Sequence, residues 1–463
     1  MCRIIIWNGD STRGILYTVI FYVFVAFLFY DVSLKWLDSV TGYIVNCVIT
    51  YWVKGCARVN IIVLGNGFDL AHGLPTKYTD FLNFVEAIRE ALRDKKVHEE
   101  NKVDSRIKNL IERKLGNDRD NLFSKERLWN ELLDNNFWID YFLQHDMHGD
   151  ENWIDFESEI SKVIQSYHSD MCGKSRLLGL YDECPDYFTN EYLENYCDEN
   201  NFQNNKSLKD KLNNDLINLI KALELYLLDY IGSLSCNIKS PDILDILDMN
   251  EETKVLNFNY TDTFARIYSP DNKEKYEINY IHGEAGNIEK TEENGKIEQN
   301  NMVLGIDEFL NEPEQRKYTE LIEFKKFYQR IYKKTGCAYK EWVDEIQAEY
   351  LAYIELKAKE AKITGLDIQN FMQKILNRYL LDKNERKHNL YIFGHSIDVT
   401  DGDILKELIL NNNVYTTIFY HDREAMGKQI ANLVKIIGEA ELIKRTGGVT
   451  KTIEFRNQKE MVH

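Results

Sequence analysis

The sequence predicts an α/β fold built on a parallel β-sheet with large α-helical insertions. Short apolar strand patterns alternate with helical patterns along the chain, an order that is typical of parallel sheets. The first strand pattern runs directly into a glycine-rich turn, as it does in folds that bind nucleotides. The chain has 463 residues, of which 44% are hydrophobic and 5 are proline, so it can form a large core and carry insertions.

Six strand patterns support the predicted sheet. Each is short, apolar and bounded by turn residues, and several are rich in β-branched side chains. They cover residues 60–64, 254–258, 277–281, 302–306, 390–393 and 414–420. A short helical pattern near residues 404–410 separates the last two, which further indicates a parallel arrangement.

Two helical blocks interrupt these strands. Apolar residues at helical spacing, broken by polar loops, predict a first insertion over about 80–250 and a second over about 314–383. The stretch 285–300 is rich in Glu, Asn and Lys, which is typical of an exposed loop. We therefore expect one α/β domain over residues 59–463 with two helical insertions.

Residues 1–58 differ from the rest of the chain. The run between Arg13 and Asp31 is uncharged, at the short end of the roughly 17–25 residues that span a bilayer, so it could be a membrane anchor. Alternatively, the segment is an untranslated leader, because Val59 opens the first strand and valine codons can serve as translation starts. We prefer the leader interpretation.

The charge and the cysteines argue against a duplex-nucleic-acid-binding protein and against a cysteine zinc site. The formal net charge of −18 disfavours binding to duplex nucleic acid, which requires clustered Lys and Arg side chains. None of the 8 cysteines has the C-x-x-C spacing of a zinc site, and such scattered cysteines are typical of reduced thiols in a cytoplasm. We expect no metal cofactor and a cytoplasmic protein.

A glycine turn follows the first strand. Glycines at the carboxyl end of a strand allow backbone amides to approach a phosphate, as in Rossmann-like folds, and the next helix adds a favourable dipole. The candidate nucleotide-binding residues are Gly65, Asn66, Gly67, Phe68 and Asp69. Leu70 replaces the third glycine of the dinucleotide fingerprint, so a dehydrogenase is not supported, and a plain tight turn is the alternative.

Two details of this turn remain to be tested. Asp69 either contacts a ribose or caps its own helix, and the sequence favours neither role. Replacement of Gly67 by Val is expected to block the approach of a phosphate and to leave the fold largely intact, because it removes no core volume.

Three other strand patterns end in polar or small residues. Asn259 and Asp262 follow the second strand, His282 follows the third, and Gly394 with Ser396 follows the strand at 390–393. An amide can bind a ribose hydroxyl, and a histidine can accept a proton near neutral pH. Each residue alone could equally be a helix cap or a structural residue. Because all of them fall at one edge of the sheet, where such folds bind ligands, we expect one nucleotide site there.

Together these motifs resemble the AbiH family of bacterial abortive-infection proteins. The resemblance rests on G-N-G-F-D-L-A-H-G-L-P-T-K-Y-T-D-F, on W-I-D at Trp138 and Trp153, and on N-F-N-Y-T-D, I-H-G and F-G-H-S-I-D. It implies an anti-phage protein that is cytoplasmic, or anchored in the inner membrane if residues 1–58 are translated. The phage trigger is not encoded in any recognisable motif, and a homo-oligomer is compatible with the sequence.

The same motifs are similar to a remote sirtuin pattern. The glycine turn, Asn259 with Asp262, His282-Gly283 and the stretch 394–399 follow the sirtuin order with similar spacing. This resemblance implies a sirtuin-like fold that takes NAD as substrate and cleaves it to nicotinamide and ADP-ribose. Tyr78 stands where sirtuins have an arginine, and the cysteine zinc module is missing, so we do not expect deacylation of proteins.

The sirtuin resemblance also implies a role for each candidate residue. Gly65 and Gly67 would hold the phosphates, Asn259 would bind the ribose or the attacking water, and Asp262 would lie on the nicotinamide side. His282 would act as the general base, Ser396 would hold the adenosine half, and Gly394 would allow the cofactor to approach closely. The resulting prediction is an NAD glycohydrolase; the alternative is a non-catalytic nucleotide sensor that signals infection to a partner.

Overall fold

The computed structural model describes twelve stretches of the chain: residues 58–94, 96–116, 122–146, 155–171, 202–249, 251–272, 275–286, 300–308, 312–317, 319–363, 388–448 and 451–462. The chain divides into two units. One comprises residues 57–347 and 376–463 and contains the sheet; the other comprises 1–56 and 348–375. All sites discussed below lie in the first unit.

A six-stranded sheet forms the centre of this unit. The strands are β1 (Val59–Leu64), β2 (Glu252–Asn257), β3 (Glu277–Tyr280), β4 (His388–Phe393), β5 (Val414–Tyr420) and β6 (Ile453–Asn457). Their order is β3-β2-β1-β4-β5-β6, and every neighbouring pair is parallel. The predicted α/β fold with a Rossmann-like parallel sheet is confirmed. The strand order reverses direction at β1 and β4, and such switch points are where these sheets bind ligands.

The strands of the structure differ from the predicted ones in two places. The strand over 302–306 is wrong: the Val303 N–H donates to the carbonyl of His282 (2.7 Å), and the side-chain amide of Gln329 satisfies both backbone groups of Leu304. These residues are buried, and a buried apolar run has the same sequence pattern in or out of a sheet. Strand β6 was not predicted, because its half-exposed sequence I-E-F-R-N at the sheet edge lacks an apolar run.

The described residues between β1 and β2, where the sequence predicts the first insertion, are mostly helical. The helices are α1 (Asn66–Ala71), α2 (Tyr78–Asp94), α3 (Ser105–Gly116), α4 (Leu122–Leu133), α5 (Phe137–Asp146), α6 (Phe156–Met171), α7 (Phe202–Leu225), a π-helical turn (Tyr226–Ile231) and α8 (Pro241–Leu247). The apolar faces of α2 to α7 and of the π-helical turn share one core, in which the ring of Phe84 packs against those of Trp129 and Tyr226, whereas α1 and α8 pack against the sheet.

The remaining helices follow β2. They are α9 (Thr263–Tyr268), α10 (Glu312–Lys317), a 3₁₀ turn (Thr319–Phe324), α11 (Lys326–Tyr332), α12 (Tyr339–Ile363), a 3₁₀ turn (Val399–Asp401), α13 (Gly402–Ile409), α14 (Arg423–Ile437) and α15 (Glu439–Thr446). The second predicted insertion is helical as far as residue 363. Its last part, 364–383, lies outside the described residues.

Among the residues that the structure describes, no helix is long and apolar enough to cross a bilayer. The apolar run between Arg13 and Asp31 falls in the stretch 1–57, which lies outside them, as does most of the predicted loop at 285–300. The anchor and leader interpretations of the first residues therefore both stay predictions.

Candidate functional site

The glycine turns after β1 and β4 pack directly against each other at the switch point. The Gly65 N–H donates to the carbonyl of Phe393 (3.1 Å), and the Gly67 N–H donates to that of Gly394 (2.8 Å). Gly394 has φ +66°, and a Cβ there would lie 2.2 Å from the backbone nitrogen of Phe68. The glycines therefore allow close contact between two turns, and two amides that were predicted to hold phosphates already have protein partners.

This packing overturns one expectation. A Cβ at Gly67 would lie 2.8 Å from the carbonyl oxygen of Gly394 and 2.9 Å from its Cα. These are backbone atoms, which cannot rotate away as a flexible side chain could. The expectation that Gly67→Val leaves the fold largely intact is therefore wrong, because valine would force the two turns apart.

The other residues of the first turn have different environments. The ring of Phe68 is 1% exposed and packs in the core against Phe264 and Phe393. Asn66 is half-buried, and its Oδ1 accepts a hydrogen bond from the hydroxyl of Thr76 (2.7 Å). Phe68 thus has a structural role, and nucleotide contacts by either residue stay predictions.

Asp69 lies buried inside helix α1. The hydroxyl of Thr261 donates to its Oδ2 (2.6 Å), while its Oδ1 has no hydrogen-bond partner among the described residues. Burial raises the pKa of Asp69 to about 6. Since Gly65 occupies the N-cap position, the alternative that Asp69 caps its helix is wrong.

The end of β2 holds the first turn in place. The buried side chain of Asn259 donates from Nδ2 to the carbonyl of Gly65 (3.0 Å), and its N–H donates to Asn257 Oδ1 (3.0 Å). Asp262 occupies the N-cap position of α9, but its side chain makes no capping hydrogen bond. It lines a cavity of about 180 Å³ together with Thr261. The predicted ribose and nicotinamide contacts of Asn259 and Asp262 stay predictions.

His282 is buried at the end of β3 and faces a carboxylate. Its Nε2 lies 3.3 Å from Asp401 Oδ1, and its Nδ1 has no hydrogen-bond partner in the described part of the chain. Burial lowers the pKa of His282 to about 4, although Asp401 favours the charged ring. At neutral pH the imidazole is therefore uncharged, and the nearby carboxylate favours the tautomer with its proton on Nε2 and a lone pair on Nδ1.

A glycine lets the segment after His282 pack closely. Gly283 has φ +81°, and a Cβ there would lie 2.1 Å from the carbonyl oxygen of Asn301. Only glycine fits such a position. The space beside the histidine is thus filled by the backbone of Asn301.

Five side chains from distant parts of the chain meet around Asp401, and we call them the Lys326 cluster: Glu157, His282, Lys326, His395 and Asp401. The Lys326 ammonium lies 2.6 Å from Glu157 Oε2 and 3.6 Å from Asp401 Oδ1. His395 Nε2 lies 3.7 Å from Asp401 Oδ2. The cluster joins residues from helix α6, the β3 and β4 turns, α11 and a 3₁₀ turn.

The protonation states within the cluster follow from burial and charge. Burial opposes both ions, but the Lys326 ammonium holds the pKa of Asp401 well below its usual range, and Glu157 with Asp401 raises the pKa of Lys326. Burial raises the pKa of Glu157 despite the nearby ammonium, and burial lowers the pKa of His395. Near neutral pH, Lys326 and Asp401 are charged and the two histidines are neutral.

The β4 turn orients the second histidine. The Ile397 N–H donates to His395 Nδ1 (2.8 Å), so the proton of the neutral ring lies on Nε2, facing Asp401. Ile397 has φ +59°, which is strained for a β-branched residue and recurs at functional sites. Ser396 between them is exposed, and the structure gives its side chain no contact with the cluster, so its adenosine contact stays a prediction.

A second cation lies one helical turn beyond Lys326 on α11. The Nε and Nη2 atoms of Arg330 are buried, and neither has a hydrogen-bond partner within the described residues. Arg330 is close enough to lower the pKa of both His282 and Asp307, although burial dominates both groups and raises that of Asp307 to about 6. A guanidinium can bind a phosphate through two parallel N–H donors.

Sequence reasoning missed most of the Lys326 cluster. Glu157 lies two residues after the second W-I-D segment, and Asp401 lies three residues after the F-G-H-S-I-D motif. Both motifs are therefore close in sequence to a residue of the cluster. Lys326 and Arg330 had no such signal, because each is one more cation in a charged helix. Across the described residues, no group of three or more His, Cys, Asp or Glu side chains could hold a metal ion.

The arrangement is chemically suited to proton transfer beside an anionic ligand. The Nδ1 atom of His282 has no hydrogen-bond partner among the described residues and could accept a proton, while Asp401 Oδ1 lies 3.3 Å from the other ring nitrogen. Lys326 and Arg330 supply positive charge nearby in a chain whose formal net charge is −18.

Comparison with known families gives one match. A family model described as "Bacteriophage abortive infection AbiH" matches residues 61–421, which is more than half of the chain and extends from β1 to the end of β5. Comparisons with curated proteins and with solved structures give no match. The sirtuin resemblance is not addressed by these comparisons and stays a prediction.

Proposed function

Because the chain belongs to the AbiH family of bacteriophage abortive-infection proteins, we propose that it acts in infected cells by binding a nucleotide at the carboxyl edge of its sheet and hydrolysing it. The proposed substrate is NAD, and the proposed products are nicotinamide and ADP-ribose. The site is the region between the β1 and β4 turns and the Lys326 cluster.

The observation that carries this proposal is the pair His282 and Asp401. The Asp401 carboxylate lies 3.3 Å from Nε2, and its negative charge favours the tautomer with the proton on Nε2, which leaves Nδ1 as the acceptor. Similar pairs orient the histidine of many hydrolases, in which the carboxylate stabilises the imidazolium that forms. His282 is thus the proposed general base.

The proposed reaction breaks the glycosidic bond between nicotinamide and the ribose. Nicotinamide is already cationic in NAD, so it takes the bonding electron pair and leaves without protonation. Water attacks the ribose carbon, and its proton moves to His282 Nδ1. The protein must therefore orient the ribose and the water and accept one proton, which requires a neutral imidazole at the working pH.

The geometry suggests which residues hold the rest of the substrate. In the proposal, the phosphates lie beside Arg330 and Lys326, since the amides of Gly65 and Gly67 already donate to protein carbonyls. The nicotinamide lies in the 180 Å³ cavity that Asp262 lines. Asn259 acts by positioning the β1 turn through its contact with the Gly65 carbonyl.

Nicotinamide release by the purified chain tests this proposal. We expect His282→Ala, Asp401→Asn and Asn259→Ala each to lower the rate, with a loss of about 10²–10⁴-fold for removal of the general base. The matched control is His421→Gln, because His421 is an exposed histidine whose side chain is 70% accessible. Thermal melts of all variants exclude unfolding as the cause. Cleavage of NAD at the parental rate by a folded His282→Ala variant would contradict the assignment.

The pH profile provides a second readout. The pKa of His282 is lowered to about 4 by burial, so the base stays deprotonated at mildly acidic pH. We expect kcat/KM to fall on the acid side only near pH 4, whereas a solvated histidine would cause a fall near 6.5.

A non-catalytic nucleotide sensor is the second candidate, and one observation favours it. The turn amides are engaged by carbonyls and His282 is 6% exposed, so the site is closed in this structure. A sensor would bind NAD or ADP-ribose in calorimetry without releasing nicotinamide, even in extracts of infected cells. The hydrolase would release it, and the two candidates are thereby distinguished.

A further inference from the structure

A second cavity lies on the other side of helix α11, between α11 and α7. Its volume is about 310 Å³, within the size range of small-molecule sites. Apolar side chains of α7, including Ile217, form one wall, and Tyr328 and Tyr332 of α11 form another. We call it the α7–α11 cavity. We propose that it binds a planar aromatic ring that carries an anionic group, of about mononucleotide size.

The aromatic part of the ligand is inferred from the two tyrosines. Tyr328 and Tyr332 are one helical turn apart, and their rings are nearly parallel, with centroids 5.9 Å apart and planes at 9°. Tyr332 is 58% exposed and Ile217 is 37% exposed, so apolar surface borders the cavity. Planar rings such as nucleobases stack on tyrosine faces.

The anionic part is inferred from two lysines. Lys221 and Lys333 both line the cavity, and within the described residues neither has a carboxylate at ion-pair distance. The one acidic side chain in the wall, Glu323, pairs with Lys209 (2.9 Å). Two such lysines in the wall, in a chain of net charge −18, favour an anion in the cavity. Burial lowers the pKa of Lys333 to about 8 although the Glu224 carboxylate raises it, and a bound anion would raise it further.

The amides of the wall add hydrogen-bonding groups. Asn213 and Asn300 line the cavity, and Asn300 is held by its Nδ2, which donates to Glu224 Oε2 (2.9 Å). Such a mixture of apolar walls with a few placed polar groups is typical of sites that select one ligand class.

The cavity is connected to the His282 turn through residues 302–304. Lys333 donates from Nζ to the carbonyl of Met302, and Gln329 binds both backbone groups of Leu304. Between them, the Val303 N–H donates to the carbonyl of His282 (2.7 Å). A ligand in the cavity would therefore act on the His282 turn as an effector, and this step rests on the proposed function, whereas binding itself does not.

Calorimetric titration of the full chain with AMP tests the binding. Adenosine tests the need for the anion, inorganic phosphate tests the need for the ring, and benzoate tests an aromatic carboxylate as the anion source. We expect AMP to bind with one site, and Lys333→Gln and Tyr328→Ala each to weaken it about tenfold or more. The matched controls are their exposed neighbours Lys334→Gln and Phe327→Ala, which we expect to retain the parental affinity.

Several outcomes would overturn the proposal. One is the absence of binding for AMP and benzoate at millimolar concentration; another is unchanged affinity in both cavity variants. Loss of AMP binding in His282→Gln with retention in Tyr328→Ala would place AMP at the sheet edge instead. If Lys333→Gln melts early, Lys221→Gln takes its place, because Lys221 is on α7 and does not hold residues 302–304.

The link to the His282 turn has its own readout, which does not depend on NAD cleavage. We expect AMP to slow hydrogen exchange of the Val303 amide in the parent and to leave it unchanged in Tyr328→Ala. Equal exchange with and without AMP, in a parent that binds AMP, would remove the effector role. Failure of the proposed hydrolysis would affect neither measurement.

Discussion

The glycine turns and the Lys326 cluster lie at the same edge of the sheet, but different physics holds them together. The turns of β1 and β4 are joined by backbone hydrogen bonds and by the absence of Cβ atoms at Gly65, Gly67 and Gly394. The cluster is held by charges on side chains that come from distant segments. The contact between the turns is therefore sensitive to shape, whereas the cluster is sensitive to the loss of any one charge.

The largest effect is expected from removing the central cation. Lys326→Met keeps the length of the side chain but leaves Asp401 and Glu157 buried without their partner, so we expect a loss of about 3–5 kcal/mol of unfolding free energy. Denaturant titration measures it. The control Lys340→Met removes an exposed pair with Glu407 and should cost no more than about 1 kcal/mol.

A rescue experiment makes this prediction sharper. Adding Glu157→Gln to Lys326→Met removes one of the two carboxylates that lost their cation, so the double variant should recover part of the lost stability. A double variant that is less stable than the single one would show that charge is not what holds the cluster together.

A smaller effect is expected from adding one methyl group to the turns. Gly394→Ala combines an unfavourable φ of +66° with a Cβ that meets the Phe68 nitrogen, so we expect a loss of about 2–4 kcal/mol. Gly427→Ala is the control, because Gly427 lies inside helix α14 with no atom within 4 Å of the added Cβ. That change should stabilise the protein by about 0.5–1 kcal/mol. If both variants unfold at the same denaturant concentration, the tight contact between the turns would be refuted.

The smallest effect concerns the one buried acid of the first turn. The pKa of Asp69 is raised to about 6, so the folded state binds its proton more tightly than the unfolded state. Below about pH 4 the contribution of Asp69 to the free energy of unfolding is at its maximum. As the pH rises through about 6, that contribution falls by on the order of 1–3 kcal/mol. Asp69→Asn should remove that dependence, so its stability relative to the parent should increase from pH 4 to 7. Parallel pH curves would show that Asp69 is not buried as an acid.

The sequence predicted the two regions unequally. Short periodic strands and the glycine turns are local patterns, so β1, β2, β3, β4 and β5 and the residues at their ends could be found. His282 was found because it ends a strand. Asp401 and Lys326 could not be found, because their role arises only when segments far apart in the chain meet, and no local pattern encodes that meeting.

The errors have similar physical causes. Residues 302–306 have the apolar pattern of a strand, but their hydrogen bonds go to His282 and Gln329, which the pattern cannot reveal. The glycines at 65 and 67 were assigned to a phosphate because a small residue indicates only that something comes close. The neighbour at that position is the β4 turn.

Because β1 lies in the middle of the sheet, its two neighbouring strands, β2 and β4, are synthesised at different times. Val59 lies beside His388, 329 residues later in the chain, so at about 5–20 residues per second the ribosome needs roughly a quarter of a minute to a minute to supply the second partner of β1. His395 and Asp401 emerge later still. A nascent chain therefore cannot form the Lys326 cluster until Asp401 has been synthesised, long after the first strand of the sheet.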